Sequence, residues 1–258
     1  MTPAQLAQWK QWYDPENSAF SSAGLTGDAL TRWKYQRFIK DYMRAVEGVD
    51  ASVGRVLEQL ERMGLDQNTI VIYSSDQGFF LGDHGWFDKR WMYEESLRTP
   101  LLVRWPGVVK PGSVNRDLVM NLDFAPTFLA MAGVAAPQAM QGASLAPLLR
   151  GKTPRNWRHS IYYQYFGYPD WHMVRRQYGV RDRRYKLIRY YEVDKWELFD
   201  LQKDPHEMRS VYDDARYAGV VRKMTRELER LRTQYRAPEH DPAPYRSFEL
   251  PPAYRRKQ

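Results

Sequence analysis

The feature that most restricts the fold is a change of period near residue 64. Phe38, Tyr42, Ala45, Val49, Val53, Val56, Leu60 and Met63 recur every three or four residues, which predicts one long amphipathic helix from about Leu30 to Met63. Gly64 stands where a left-handed residue ends a helix, and Asp66-Gln67-Asn68 continues as a turn. Thr69-Ile70-Val71-Ile72-Tyr73-Ser74 is then almost wholly apolar and β-branched, the pattern of a strand buried on both faces of a parallel sheet. Helix, tight turn and buried strand make half of an α/β unit. Ligands in such sheets sit beyond the carboxyl ends of the strands, so chemistry is expected after Ser75.

The flanking segments read less regularly. Residues 1–27 mix Trp9, Trp12, Tyr13 and Phe20 with Pro, Gly and Ser without a sustained period and are expected to be irregular. Pro100 to Trp105 resembles a second core strand stopped by Pro106-Gly107, and Asp123 is the expected N-cap of a helix over 124–132. Past residue 150, Ser160–Phe166, Met173–Arg181, Tyr185–Tyr191 and Trp196–Phe199 are rich in Tyr, Val and Ile and broken by turn residues, which predicts an antiparallel meander. Val221, Met224, Leu228 and Leu231 give a helix to cover it. Charge shifts at the same place: residues 1–150 carry 15 basic and 16 acidic side chains, whereas 151–258 carry 24 and 15. Two domains, 1–150 and 151–258, are therefore expected, the second a small α+β unit whose Pro-rich basic stretch 237–258 lies along the surface or frays.

The loop after the apolar strand, Ser74-Ser75-Asp76-Gln77-Gly78 through Gly82-Asp83-His84-Gly85 to Lys89-Arg90, concentrates chemistry. Asp76 and Gln77 put two hard oxygen donors at the mouth of the strand, a pair suited to Ca²⁺ or Mg²⁺. His84 adds a hydrogen-bond donor or proton carrier and Lys89 a cation, together the equipment for holding a tetrahedral oxyanion. Singly, each is ordinary turn or surface chemistry; together at one end of one strand they point to a metal-assisted oxyanion site. Glu94 and Arg98 are spaced for an i, i+4 ion pair.

The block Asn68–Gly78, with Gly82-Asp83-His84-Gly85, Lys89, Tyr93–Pro100 and Trp105-Pro106-Gly107, resembles the type I sulfatases of the alkaline phosphatase superfamily, in the branch of iduronate, glucosamine-6- and mucin-desulfating enzymes. Gly48-Val49-Asp50, Asn121-Leu122-Asp123, Tyr185–Ile188, Glu197–Leu201 and Asp204-Pro205-His206-Glu207 fit the same pattern. The resemblance implies an α/β fold, namely the C-terminal part of an alkaline-phosphatase-like α/β/α sandwich plus a small subdomain with an antiparallel sheet and covering helix. It implies a calcium-dependent hydrolase of sulfate esters, with a sulfated carbohydrate as substrate and no nucleic acid or membrane partner. Asp76 and Gln77 then match metal ligands, Lys89 the lysine that contacts the sulfate, and His84 a pocket residue whose role differs among branches. Arg183 and His172 are candidates for the rim of an anionic-sugar pocket.

Composition matters here because the family's nucleophile is a formylglycine made from Cys, or sometimes Ser, in a Cys/Ser-x-Pro/Ala-x-Arg motif. The 258 residues contain no Cys and no Ser in that motif. The family's early Asp pair is also missing, since the only consecutive pair, Asp213-Asp214, reads as a helix start. The chain is therefore expected to be the C-terminal portion of a sulfatase, catalytically incomplete alone, with an exposed apolar sheet edge. Full-length relatives are expected to be periplasmic or secreted, although no leader or stretch of about 20 apolar residues is visible. Two alternatives stay open: a phosphatase or phosphonate monoester hydrolase of the same superfamily, and a non-catalytic polyanion-binding module built on Arg175, Arg176, Arg181, Arg183, Arg184, Lys186 and Arg189.

Overall fold

The structure is a computed structural model that describes residues 1–168 and 172–238. It divides into two compact units, Met1–Asp66 and the remainder from Gln67. In the first unit, helix α1 (Pro3–Ala23) and the 36-residue helix α2 (Gly27–Arg62) are joined through Gly24 and Thr26. Helix α1 corrects the expectation of irregular structure over 1–27. Thr2 accepts from the Gln5 N–H while the Gln5 side chain accepts from the Thr2 N–H, and Pro3 opens the first turn. This capping box starts the helix, which runs on through Pro15 despite the missing N–H there. Phe20 stacks on Trp33 at 4.2 Å, and Arg37 pairs with Glu16 at 2.6 Å, tying α1 to α2. The stripe of α2 has the expected helical period and ends at Gly64, whose φ of 63° is the left-handed value anticipated. No residue of α2 is fully buried: Phe38, Tyr42, Val53 and Leu60 of the stripe are half-buried, while Val49, Val56 and Met63 are exposed.

In the second unit, strand β1 (Val71–Ser74) lies where the apolar run placed it, followed by the one-turn helix α3 (Glu94–Leu97) and strand β2 (Leu101–Arg104). β1 and β2 pair antiparallel, with Val71 opposite Arg104 and Ser74 opposite Leu101, and form a two-stranded sheet. The expected burial within a parallel sheet is therefore not found. Tyr73 and Leu102 are 40% and 64% exposed, because among the described residues neither strand has a second neighbour to cover it.

Helix α4 (Phe124–Met131) follows Asp123, which is fully buried and does not cap it by a side-chain bond. Instead the Asp123 carboxylate accepts from the N–H groups of Met120 and Ala143, both at 2.8 Å, and takes a two-pronged ion pair from Arg158. That corrects the simple cap: Asp123 ties three stretches of chain together. Helix α5 (Ala146–Leu149) packs Leu145 and Leu148 with Trp157 in a small core.

The meander is present as strands β3 (Ser160–Tyr165), β4 (Gln177–Asp182), β5 (Tyr185–Tyr190) and β6 (Lys195–Asp200), antiparallel in sequence order. Helix α6 (Ala218–Gln234) covers one face, entered through a turn that Asp214 caps by accepting from the Arg216 N–H. Strand alternation sorts the side chains cleanly. Tyr178, Val180, Leu187 and Leu198 meet Met224, Leu228 and Leu231 of α6 in one core. Met92, Tyr93 and Phe80 of the loop after β1 meet Ile188, Tyr190 and Phe199 on the opposite face. Each fully buried apolar side chain contributes about 1.5–3 kcal/mol, so the sheet is held from both sides by comparable cores. Among the described residues no helix is long and apolar enough to cross a membrane, and the stretch 239–258 of the expected Pro-rich tail lies outside them.

Candidate active site

The loop between β1 and β2 folds on itself by backbone bonds: the Phe80 N–H donates to the Asp88 carbonyl at 2.7 Å and the Gly82 N–H to the Trp86 carbonyl at 2.9 Å. At its start Asp76 is exposed and Gln77 half-buried. Asp76 Oδ1 accepts from the Gln77 N–H at 3.1 Å, and Ser75 Oγ donates to the Gln77 carbonyl at 2.9 Å, so side-chain bonds to the backbone shape the turn at this pair. A carboxylate and an amide carbonyl fit a hard cation in type, but Ca²⁺ takes roughly six to eight oxygens. Among the described residues no three His, Cys, Asp or Glu side chains converge, so Asp76 and Gln77 fit as part of a coordination shell only.

His84 sits in a left-handed conformation, φ 56°, unusual for a residue with a Cβ. Its ring is 10% exposed, boxed by Phe80, Trp86 and Tyr93 at 4.8–5.9 Å between ring centres, with Nε2 3.5 Å from Glu95 Oε2. Lys89 is half-buried, and its carbonyl accepts from Ser96 Oγ at 2.6 Å. His172 Nδ1 lies 3.9 Å from Asp88, beside the same loop. Arg183 is not brought there. It is 66% exposed at the β4–β5 turn, pairs with Asp117 at 2.5 Å, and lines a separate cavity of about 1300 Å³ with Arg158, Lys223 and Arg226. The other cations of the meander are also partnered: Arg176 with Glu192, Arg181 with Glu94, Arg184 with Asp200, and Arg189 with Asp194, while Arg175 lies over Tyr168.

What joins Asp76, Gln77, His84 and Lys89 is helix α3. The Ser96 carbonyl accepts from the Gly78 N–H at 2.8 Å, immediately after the oxygen pair; Ser96 Oγ holds Lys89; and Glu95 faces His84. Gly78 is required by proximity, since a Cβ there would stand 2.0 Å from the Glu95 carbonyl oxygen. Glu94 does not pair with Arg98, as its spacing suggested. It receives two hydrogen bonds from Arg181, at 3.2 and 3.0 Å, and an ion pair from the fully buried Lys186 at 2.9 Å. Burial alone would raise the Glu94 carboxyl, but Lys186 and Arg181 override it and hold it below the ordinary glutamate value. On the same face Glu197 Oε2 accepts from the hydroxyls of Tyr93 and Tyr190, at 2.8 and 2.7 Å, and burial followed by the charge of Glu197 pushes both phenols up. Local sequence reasoning did not connect Ser96, Lys186 or Glu207 with this loop, although each lies in a block that carries the family resemblance: Tyr93–Pro100, Tyr185–Ile188 and Asp204-Pro205-His206-Glu207.

Comparison with known proteins gives a consistent picture. A family model described as Sulfatase matches residues 5–134, and one described as N-sulphoglucosamine sulphohydrolase, C-terminal, matches residues 82–234. The sequence is 46% identical over 238 residues to an N-acetylglucosamine-6-O-sulfatase of Bacteroides thetaiotaomicron, covering 91% of this chain and 42% of that protein. It superposes with a TM-score of 0.87 and 45% identity on a protein solved in complex with its substrate D-glucosamine-2-N,6-O-disulfate, covering 93% of this chain and 49% of the other. A phosphonate monoester hydrolase from Silicibacter pomeroyi is 30% identical with a TM-score of 0.66, over 72% of this chain and 39% of its own. The chain thus spans less than half the length of these relatives.

Proposed function

The chain belongs to the sulfatase family and shares the alkaline-phosphatase-like fold of its solved relatives, and from that premise we propose that loop 76–95 forms the cation-bearing side of a sulfuric ester hydrolase whose substrate is a 6-O-sulfated glucosamine. The observation that carries this reading is that Asp76, Gln77 and Lys89 share one loop anchored on one turn, in a chain so similar to a glucosamine-6-sulfatase.

Asp76 and Gln77 would hold Ca²⁺, with Mg²⁺ as the alternative. When bound, such an ion draws electron density from the sulfate oxygens and favours attack at sulfur. The Lys89 ammonium donates to the sulfate and offsets charge on the ester oxygen as the sulfur–oxygen bond breaks. Glu95 stands within ion-pair reach of His84 Nε2, and the ring is held among Phe80, Trp86 and Tyr93 beside the loop. The attacking group is different: with no Cys and no Ser-x-Pro/Ala-x-Arg, the chain's residues do not fit formylglycine formation, and no step is assigned to it. The role proposed for this chain is to bind and orient the ester.

Saturation-transfer NMR with glucosamine 6-sulfate and Ca²⁺ tests this without turnover. Transfer is expected to be strong for the sulfated sugar, weak for glucosamine, and reduced by Lys89→Ala and Asp76→Asn. Equal transfer to both sugars would overturn the reading. The similarity to a phosphonate monoester hydrolase supports a second reading, and displacement of the sugar by a phenyl phosphonate monoester at lower concentration would favour it.

A further inference from the structure

Helix α3 is four residues long, its N-cap Tyr93 makes no side-chain capping bond, and one isolated turn of helix does not hold itself. Yet this turn meets the loop at three places: the Gly78 N–H, the Lys89 carbonyl and the His84 ring. Its anchorage comes from far along the chain. The first helical N–H, that of Glu94, donates to Glu207 Oε2 at 2.7 Å, 113 residues away. Lys186 Nζ lies between two carboxylates, 2.9 Å from Glu94 Oε1 and 2.7 Å from Glu207 Oε1, close enough for ion pairs but without hydrogen-bond alignment. The side chains of Lys186 and Glu207 are both fully buried.

Such an arrangement is an inefficient way to gain stability. Desolvating an ion costs several kcal/mol, and well-packed apolar side chains often stabilise as well or better. Glu207 also sits at φ 52°, a left-handed conformation that costs a residue with a Cβ about 1–3 kcal/mol. Burial pushes its carboxyl up despite Lys186 and the Glu94 N–H. What this arrangement does supply is position: the Glu94 N–H reaches Glu207 Oε2, and Lys186 draws the Glu94 and Glu207 carboxylates to one point.

We infer that Lys186, on β5, and Glu207, in the loop after β6, are positioning residues: through Glu94 they hold the turn Glu94–Leu97, whose Ser96 and Glu95 fix Lys89, His84 and the peptide that follows Asp76-Gln77. The C-terminal sheet is thereby part of the site's framework. The functional meaning of this role rests on the sulfatase reading above; its geometry does not.

The test uses this polypeptide without metal or substrate, so it stands or falls separately from the proposed chemistry. In Lys186→Met/Glu207→Leu the buried Lys186–Glu207 pair becomes apolar, the Glu94 carboxylate keeps Arg181, and the Glu94 N–H loses its acceptor. Cooperative thermal unfolding should survive, while the Gly78 amide exchanges at least about tenfold faster and the His84 ring signals shift, with His159 unchanged. Lys186→Met/Glu207→Gln restores an acceptor and should return Gly78 exchange to within about threefold of the parent. Folded variants with unaltered Gly78 exchange and His84 signals would overturn the inference. Should neither variant fold, native-state exchange of the unmodified chain decides. Gly78 opening in the same cooperative unit as the Leu187 and Ile188 amides supports the inference, and Gly78 opening alone with far lower protection refutes it.

Discussion

Replacing Gly78 by alanine tests how closely α3 approaches the oxygen pair. The added Cβ would lie 2.0 Å from the Glu95 carbonyl oxygen, 2.7 Å from that of Arg98 and 3.0 Å from the Glu95 carbonyl carbon. All three are backbone atoms, so no side chain can swing away. A carbon and a carbonyl oxygen tolerate about 3.3 Å, which requires the turn or the loop to retreat by more than ~1 Å. The 2.8 Å bond from the Gly78 N–H to the Ser96 carbonyl would then be stretched beyond useful length. Overpacking costs about 1–3 kcal/mol and the lost hydrogen bond about 0.5–1.5, together roughly 2–4 kcal/mol. For a unit of this size that corresponds to a Tm lower by roughly 5–15 °C in calorimetry. Gly219→Ala is the control: it lies in the first turn of α6 with only the end of the Arg222 side chain at 4.0 Å, and should not destabilise. A Gly78→Ala loss below about 0.5 kcal/mol would refute the close approach and the clamp built on it.

Three further outcomes follow from the same geometry. Asp123→Asn leaves Arg158 facing a neutral amide beside a fully buried position and should cost about 3–5 kcal/mol in urea unfolding, with the double variant Asp123→Asn/Arg158→Met recovering at least ~1 kcal/mol; strict additivity would contradict a direct pair. Because the folded Glu94 carboxyl is depressed, its contribution is present above the ordinary value of about 4.5 and lost as pH falls through the lower folded value. Arg181→Met should therefore flatten the dependence of unfolding free energy on pH below 4.5, and an unchanged slope would count against the pairing. The purified polypeptide should not hydrolyse an aryl sulfate, since it offers no activated nucleophile of the family's kind; turnover that persists through repeated purification would contradict this.

How much of this was legible depended on the range of the interactions. The period of Phe38 to Met63, the stop at Gly64, the apolar run before Ser75 and the four strands of the meander are local signals, and each names its element correctly. Helix α1 was also signalled, by Thr2-Pro3 with Gln5, but Pro15 and an irregular spread of aromatics obscured it. The partners of β1, Asp123 and Glu94 were out of reach. Local spacing offers Glu94 an arginine four residues away, whereas tertiary structure gives it Arg181, 87 residues on, because the odd positions of β4 and the even positions of β5 face the loop. The same alternation explains why the basic residues of the meander divide between two faces and mostly meet carboxylates. The chemistry-bearing loop could be read from its residue types; what orients it could not.

The separation between Glu94 and Glu207 also carries a consequence for synthesis. A ribosome adding about 5–20 residues per second makes Glu207 roughly 6–23 s after Glu94, so for that interval the nascent loop lacks the carboxylate that accepts from the first N–H of α3. The order of translation itself therefore delays the anchoring of α3 until the sheet has been made.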